Sequence, residues 1–133
     1  MVPSAPPRSL SVEHRFAQDE LDRDRQRAAL LALTDRLGLR LRGESQAACA
    51  LTLTVRYADR STTTRTRKLP EPTAHTRSLT APAYDLHDRL ALQRARVRTL
   101  SLRAENLIAA DRARERFGAE AVQPAGAAAI HLA

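Results

Sequence analysis

The stretch ALTLTVRYADRSTTTRTRKLP, residues 50–70, decides how this chain folds. In its first half Leu51, Leu53, Val55 and Tyr57 alternate with Thr52, Thr54 and Arg56, the period-two pattern of a strand with one apolar and one polar face. After Ala58-Asp59-Arg60-Ser61 the second half strings Thr and Arg together with almost no aliphatic side chain. Two extended runs joined so closely predict a hairpin, although Asp59-Arg60 is not a favoured two-residue turn pair. A strand pair that is apolar on one side needs a second layer over that side, so the flanking sequence has to supply it.

It does so with two amphipathic segments. Leu30, Leu33, Leu37 and Leu41 recur at three- and four-residue intervals, with Arg27, Asp35 and Arg42 between them. This spacing predicts a helix from about Leu21 to Leu41, interrupted by Gly38 and ended near Gly43. From Thr76 onward Leu79, Ala83, Leu86 and Leu90 form a second stripe. Pro82 falls inside it, so this helix either begins later, capped by Thr80, or kinks. Residues 9–16 alternate Leu10, Val12 and Phe16 with Ser9, Ser11, Glu13 and Arg15, and residues 97–104 turn Leu100 and Leu102 inward, so both read as strands. A short helix is expected over residues 108–118, ended by Gly118, with a frayed Ala-rich tail after Pro124. The expected fold is therefore α+β: a four-stranded antiparallel sheet in βαββαβ order, both helices on one face and the other face bare.

A chain of 133 residues suits one domain. We divide it into a Pro-rich lead-in (1–8), the domain (9–108), and a short helix with its tail (109–133). Lys and Arg number 22 against 15 Asp and Glu, giving net charge +7, and nearly all the basic residues are Arg. That balance favours a polyanionic partner, because the guanidinium fork matches phosphate with two parallel hydrogen bonds, although a GC-rich genome also spells basic residues as Arg. Cys49 is the only cysteine, which excludes an internal disulfide and points to a reducing compartment. No apolar run approaches the ~20 residues of a membrane span, and MVPSAPPRS lacks the apolar stretch of a signal peptide, so a cytoplasmic monomer is expected. His14, His75, His87 and His131 are scattered without ligand spacing, and no glycine loop could cradle a phosphate, so no metal or other cofactor is expected on this chain. Asp85 and Asp88, beside Arg89, read as a solvated helix face rather than a two-metal site.

Side-chain alternation turns the inward set into an outward one. On the bare face it expects Ser9, Ser11 and Arg15 from the first strand, and Thr52, Thr54 and Arg56 from the second. Thr63, Arg65 and Arg67 follow from the third strand, and Val97, Thr99, Ser101 and Arg103 from the last. Glu13 is the one acid. Hydroxyls and guanidiniums in this arrangement suit phosphate and sugar oxygens, which position a protein on a duplex without reading its sequence. The four aromatic residues fall elsewhere, so no platform for stacking single-stranded bases remains.

In order and spacing these segments resemble the little-finger domain of Y-family translesion DNA polymerases. Ser9-Leu10-Ser11-Val12-Glu13-His14-Arg15-Phe16, reaching Asp19, is similar to the family's first strand, with Arg15 in place of the usual Thr. LGLRLRG, residues 37–43, the TLTVRY and TRTR strands, and RVRTLSLRAENL, residues 96–107, continue the likeness, with Ser101 where Gly is common. The resemblance covers about residues 8–108. It implies a non-catalytic domain that grips primer-template duplex by its backbone during damage bypass, through Arg56, Arg65, Arg67, Arg98 and Arg103 with Ser9, Ser11, Thr63 and Thr99. Arg98 shares the parity of Leu100 and Leu102, which would place it at the sheet edge instead. The resemblance further implies palm and thumb domains as partners, with the magnesium carboxylates in the palm, so this chain alone is not expected to polymerise nucleotides. The alternative is a protein-interaction adaptor that keeps the fold without a polymerase; the tail carries no clear Gln-x-x-aliphatic-x-aromatic clamp peptide.

Overall fold

The computed structural model describes residues 9–90 and 95–117. Strand β1 (Ser9–Glu20) leads into helix α1 (Arg23–Gly43), which is followed by the hairpin β2 (Gln46–Tyr57) and β3 (Thr62–Thr73). Helix α2 (Thr76–Leu90), β4 (Val97–Glu105), a two-residue β5 (Ile108–Ala109) and α3 (Ala110–Phe117) complete the order. The sheet runs β1-β4-β2-β3 with every neighbouring pair antiparallel, so β1 and β3 are its edges.

Helix α1 starts where Asp22 Oδ1 accepts the N–H of Asp24 at 2.9 Å, relieving one of the unpaired amides of the first turn. Its last turn carries Arg40 and Arg42, which complement the negative end of the helix dipole. The expected leucine stripe is the buried one: Leu30, Leu37 and Leu41 are wholly enclosed and Leu33 nearly so. Gly38 does not interrupt the helix. A Cβ there would lie 2.8 Å from Thr76 Oγ1, so glycine allows α1 to lie close against the start of α2.

Helix α2 begins at Thr76 and runs unbroken through Pro82, rather than being capped by Thr80. Loss of the Pro82 N–H removes the bond to the Ser78 carbonyl, a cost of about 3 kcal/mol in an isolated helix. Burial of Leu79, Ala83, Leu86 and Leu90 along one stripe outweighs it, since each large apolar side chain contributes roughly 1.5–3 kcal/mol. These residues meet the α1 leucines and the inward row of Leu10, Val12, Leu51, Leu53, Val55, Leu100 and Leu102 in one core.

The strands run longer than the alternation alone suggests, because bulges extend them. β1 reaches Glu20 through an irregularity between Arg15 and Glu20, and β3 passes Pro70 and Pro72 to Thr73. Prolines are tolerated there because β3 is an edge strand. β5 adds a fifth strand by pairing with Gln46 and Ala47 at the start of β2, and Ala113 of α3 packs on Ala47. Helix α3 thus begins two residues after the expected start, and the expected stop at Gly118 lies outside the described residues.

Candidate nucleic-acid interface

The pairing registers fix which side chains share the helix-free face. Four rows cross the sheet in the order β1, β4, β2, β3: Ser9–Glu105–Ala50–Lys68, Ser11–Arg103–Thr52–Thr66, Glu13–Ser101–Thr54–Thr64 and Arg15–Thr99–Arg56–Thr62. Ala50 is the one apolar residue in this grid, so among the described residues the face offers no apolar patch and carries no aromatic side chain. Phe16 packs against the core and Tyr57 is buried in it, while Tyr84 of α2 carries the Arg27 guanidinium 4.2 Å above its ring.

Much of the expected set is assembled as foreseen. Ser9, Ser11, Arg15, Thr54, Arg56, Thr99 and Arg103 stand together on the open face, with Ser11, Arg15, Arg56 and Arg103 exposed. Arg15 and Arg56 flank Thr99 two strand spacings apart, roughly 10 Å. No described residue pairs with either guanidinium.

The third strand faces the other way. Thr63, Arg65 and Arg67 are register partners of Val55, Leu53 and Leu51, so they lie on the helix side. Thr62, Thr64, Thr66 and Lys68 take the open face instead. The cause is the loop: the Tyr57 N–H bonds the Ser61 carbonyl at 2.9 Å, making a three-residue connection with Arg60 in the left-handed region at φ 73°. Relative to a two-residue turn this shifts the pairing by one residue, which flips every side chain of the strand. Arg67 accordingly pairs with Asp85 of α2, and Asp85 also meets Arg89 at 3.6 Å.

Two placements on β4 also change. Val97 is buried in the core rather than exposed on the open face, because Arg98 is an extra bulge residue between the pairs Arg56–Thr99 and Tyr57–Val97. Arg98 itself donates two hydrogen bonds of 3.3 Å to Asp19, in the irregular part of β1. This carboxylate stabilises its charged form, so the two bulges are clasped together and Arg98 is committed to the fold.

The charge of the open face is broken rather than continuous. Arg15, Arg56, Arg103 and Lys68 bring positive charge to all four strands, and Glu13 and Glu105 oppose it. Glu105 is internally engaged, accepting the Thr52 hydroxyl and lying 4.0 Å from Arg103, whereas Glu13 has no described cationic partner. Thr52 and Thr66 hydroxyls meet at 2.8 Å, and those of Thr54 and Thr64 at 3.2 Å, so the β2–β3 side presents an ordered hydroxyl lattice. Lys68 and the three threonines of β3 went unseen from sequence because Thr and Arg alternate without an aliphatic marker of the inward side. The length of the loop is the signal that would have found them.

At the other edge, Arg36 and Arg40 of α1 donate to the carbonyls of Glu13 and Ser11 at 3.1 and 2.9 Å, covering the free edge of β1. Among the described residues no group of three His, Cys, Asp or Glu could hold a metal ion, and no helix is long and apolar enough to cross a membrane.

The model of the impB/mucB/samB family C-terminal domain matches residues 7–116. Among solved structures, the insertion ternary complex of Dbh DNA polymerase is similar with TM-score 0.68 at 14% identity, covering 76% of this chain and 29% of that one. A Dbh-Dpo4(243-245)-Dbh chimera gives 0.68 at 14% identity, covering 79% and 30%. The little finger domain of PolIV, in complex with the beta-clamp processivity factor, gives 0.59 at 20% identity, covering 73% and 86%. At these identities the likeness concerns the fold, and the chain spans less than a third of the Dbh polymerase and chimera chains. No curated protein matches it. The chain belongs to the impB/mucB/samB C-terminal domain family and has the little-finger fold of Y-family DNA polymerases.

Proposed function

We propose that this domain grips duplex DNA through phosphate contacts on its open sheet face, as part of a DNA-directed DNA polymerase that copies past damage. The observation that carries this reading is the grid itself: exposed Arg15, Arg56, Arg103 and Lys68 set among hydroxyls, with Ala50 as its one apolar side chain. Such a surface has donors for phosphate, but neither an aromatic platform on which a base could stack nor an apolar patch for a protein partner. Ser9, Ser11, Thr54 and Thr99 lie between the cations and would supply additional hydrogen bonds. Arg65, on the helix side of an edge strand, would reach only a phosphate at the rim, while Arg67 and Arg98 are held by Asp85 and Asp19. Palm and thumb domains are the partners that this role requires, the palm supplying the catalytic metal ions.

A protein partner is the second reading. One structure of this fold is a complex with a beta-clamp processivity factor, and the adaptor alternative needs a docking surface of the same kind. The polar open face disfavours docking there. The deciding experiment is fluorescence anisotropy of a labelled primer-template duplex at low and high salt, beside a matched single strand. Four cations on phosphates predict a log-log salt slope reaching about −3.6, at ~0.9 per contact. Absence of duplex binding at low salt would refute the proposal and favour a protein partner.

A further inference from the structure

We propose that the loop end of the sheet, through Arg60 of the β2–β3 connection and Arg96 of the α2–β4 connection, forms a further binding site for DNA phosphates. The site rests on the open-face reading and extends that grip past the last cross-sheet row. Arg60 has φ 73°, the left-handed region that glycine enters freely and a residue with a Cβ enters at a cost. The loop requires this conformation, since the Arg60 N–H bonds the Tyr57 carbonyl at 3.0 Å just before the Tyr57 N–H closes on Ser61. Nothing in the fold compensates for the arginine: it is exposed, and among the described residues its side chain has no hydrogen-bond or ion-pair partner. A strained backbone beneath an unused cation points to a role outside the fold.

Three other arginines stand at the same end. The Ala58 N–H bonds the Arg96 carbonyl at 2.9 Å, which ties the entry to β4 to the hairpin loop and brings the exposed Arg96 beside it. Arg15 and Arg56 occupy the last open-face row, Arg15–Thr99–Arg56–Thr62, and Thr62 follows Arg60 by two residues. Among the described residues none of these guanidiniums has a partner.

The acids at this end are engaged elsewhere. Asp19 holds Arg98, and Glu20, the register partner of Val97, lies 3.7 Å from Arg25. Asp59 turns Oδ1 to the Ser61 hydroxyl and N–H, at 2.6 and 2.8 Å, and these bonds lower its pKa. Asp59 therefore serves the turn and leaves Arg60 unpaired. Guanidinium forks match phosphate oxygens with paired hydrogen bonds, and a DNA backbone held at Arg15 and Arg56 would meet Arg60 and Arg96 next. Two further contacts steepen the expected salt slope from about −3.6 to about −5.4.

The test is duplex binding by the full chain, read as anisotropy across a salt series on two unrelated labelled primer-template duplexes. Arg60→Gly combined with Arg96→Gln should make the log-log slope shallower by about 1.8, with an equal loss of affinity for both sequences. Arg60→Gly alone relieves the loop, so its slope should be shallower by about 0.9 while its urea midpoint rises, an opposition that partial unfolding cannot produce. Arg60→Lys, which keeps the charge, should keep the wild-type slope. An unchanged slope in the Arg60→Gly, Arg96→Gln variant, beside a shallower one in Arg56→Gln, Arg103→Gln, would overturn the loop-end site alone and leave the cluster to an acidic protein surface. Unchanged slopes in both double variants, or no duplex binding at low salt, would refute the open-face reading and this site with it.

Discussion

Acidification from pH 7.5 to 5.5 should destabilise this domain through a buried histidine whose protonation state the hydrogen bonds dictate. Gln26 Nε2 donates to the Glu20 carbonyl at 2.8 Å, which turns its Oε1 toward His87 Nε2, also at 2.8 Å. Because Oε1 only accepts, His87 Nε2 must carry the proton, leaving Nδ1 as a bare buried lone pair. Charging the ring would create an unpaired buried N–H. Burial therefore lowers the His87 pKa, Asp88 opposes this, and Arg23 and Arg27 reinforce it. The folded value lies below the unfolded 6.5, so the unfolded chain takes up the proton first as pH falls. Stability from this group is fully present above pH 6.5 and is lost as pH drops through 6.5 toward the folded value. Between pH 7.5 and 5.5 the loss is at most about 1.4 kcal/mol for one such histidine, and His75, also lowered, adds up to the same again. Urea unfolding followed by far-ultraviolet circular dichroism, in buffer free of phosphate, measures it. His87→Gln keeps a donor for Gln26 and removes the titration, so its pH-dependent loss should shrink by up to ~1.4 kcal/mol. An undiminished loss in that variant would refute the assignment.

Three other substitutions separate the parts of the account. Leu53→Ala, at a wholly enclosed position on β2, should cost about 2–5 kcal/mol in urea unfolding. Arg60→Gly should stabilise the hairpin by roughly 0.5–1 kcal/mol, read from the same curves, because the φ of 73° suits glycine. Arg67→Gln should lower stability by less than about 1 kcal/mol, as expected of a half-exposed ion pair with Asp85, and leave the salt slope of duplex binding unchanged.

Elements with strong periodicity were legible in the sequence. The leucine stripe of α1 and the Leu51-Leu53-Val55-Tyr57 row each contain enough aliphatic side chains to mark one face, and burial follows both. The unbroken α2 was less legible, since local proline chemistry argues for a break while the cost is offset by tertiary burial of Leu79. The third strand was legible as a strand but not in orientation. One extra residue in the loop after Tyr57 decides whether Arg65 or Thr66 points away from the helices, and loop length is set by backbone bonding that Asp59 and Ser61 support locally. Ser61 donates both its N–H and its hydroxyl to Asp59 Oδ1, at 2.8 and 2.6 Å. The Arg98–Asp19 clasp was equally hidden, because a bulge has no signature in a run as regular as VRTLSLR.

The most direct test of the open-face proposal compares the salt dependence of duplex binding for the wild type and the Arg56→Gln, Arg103→Gln double variant. Anisotropy across a salt series, on two unrelated duplex sequences, should show a slope shallower by about 1.8 in the variant and an equal loss of affinity for both sequences. An unchanged slope, or a loss confined to one sequence, would contradict backbone gripping by this face.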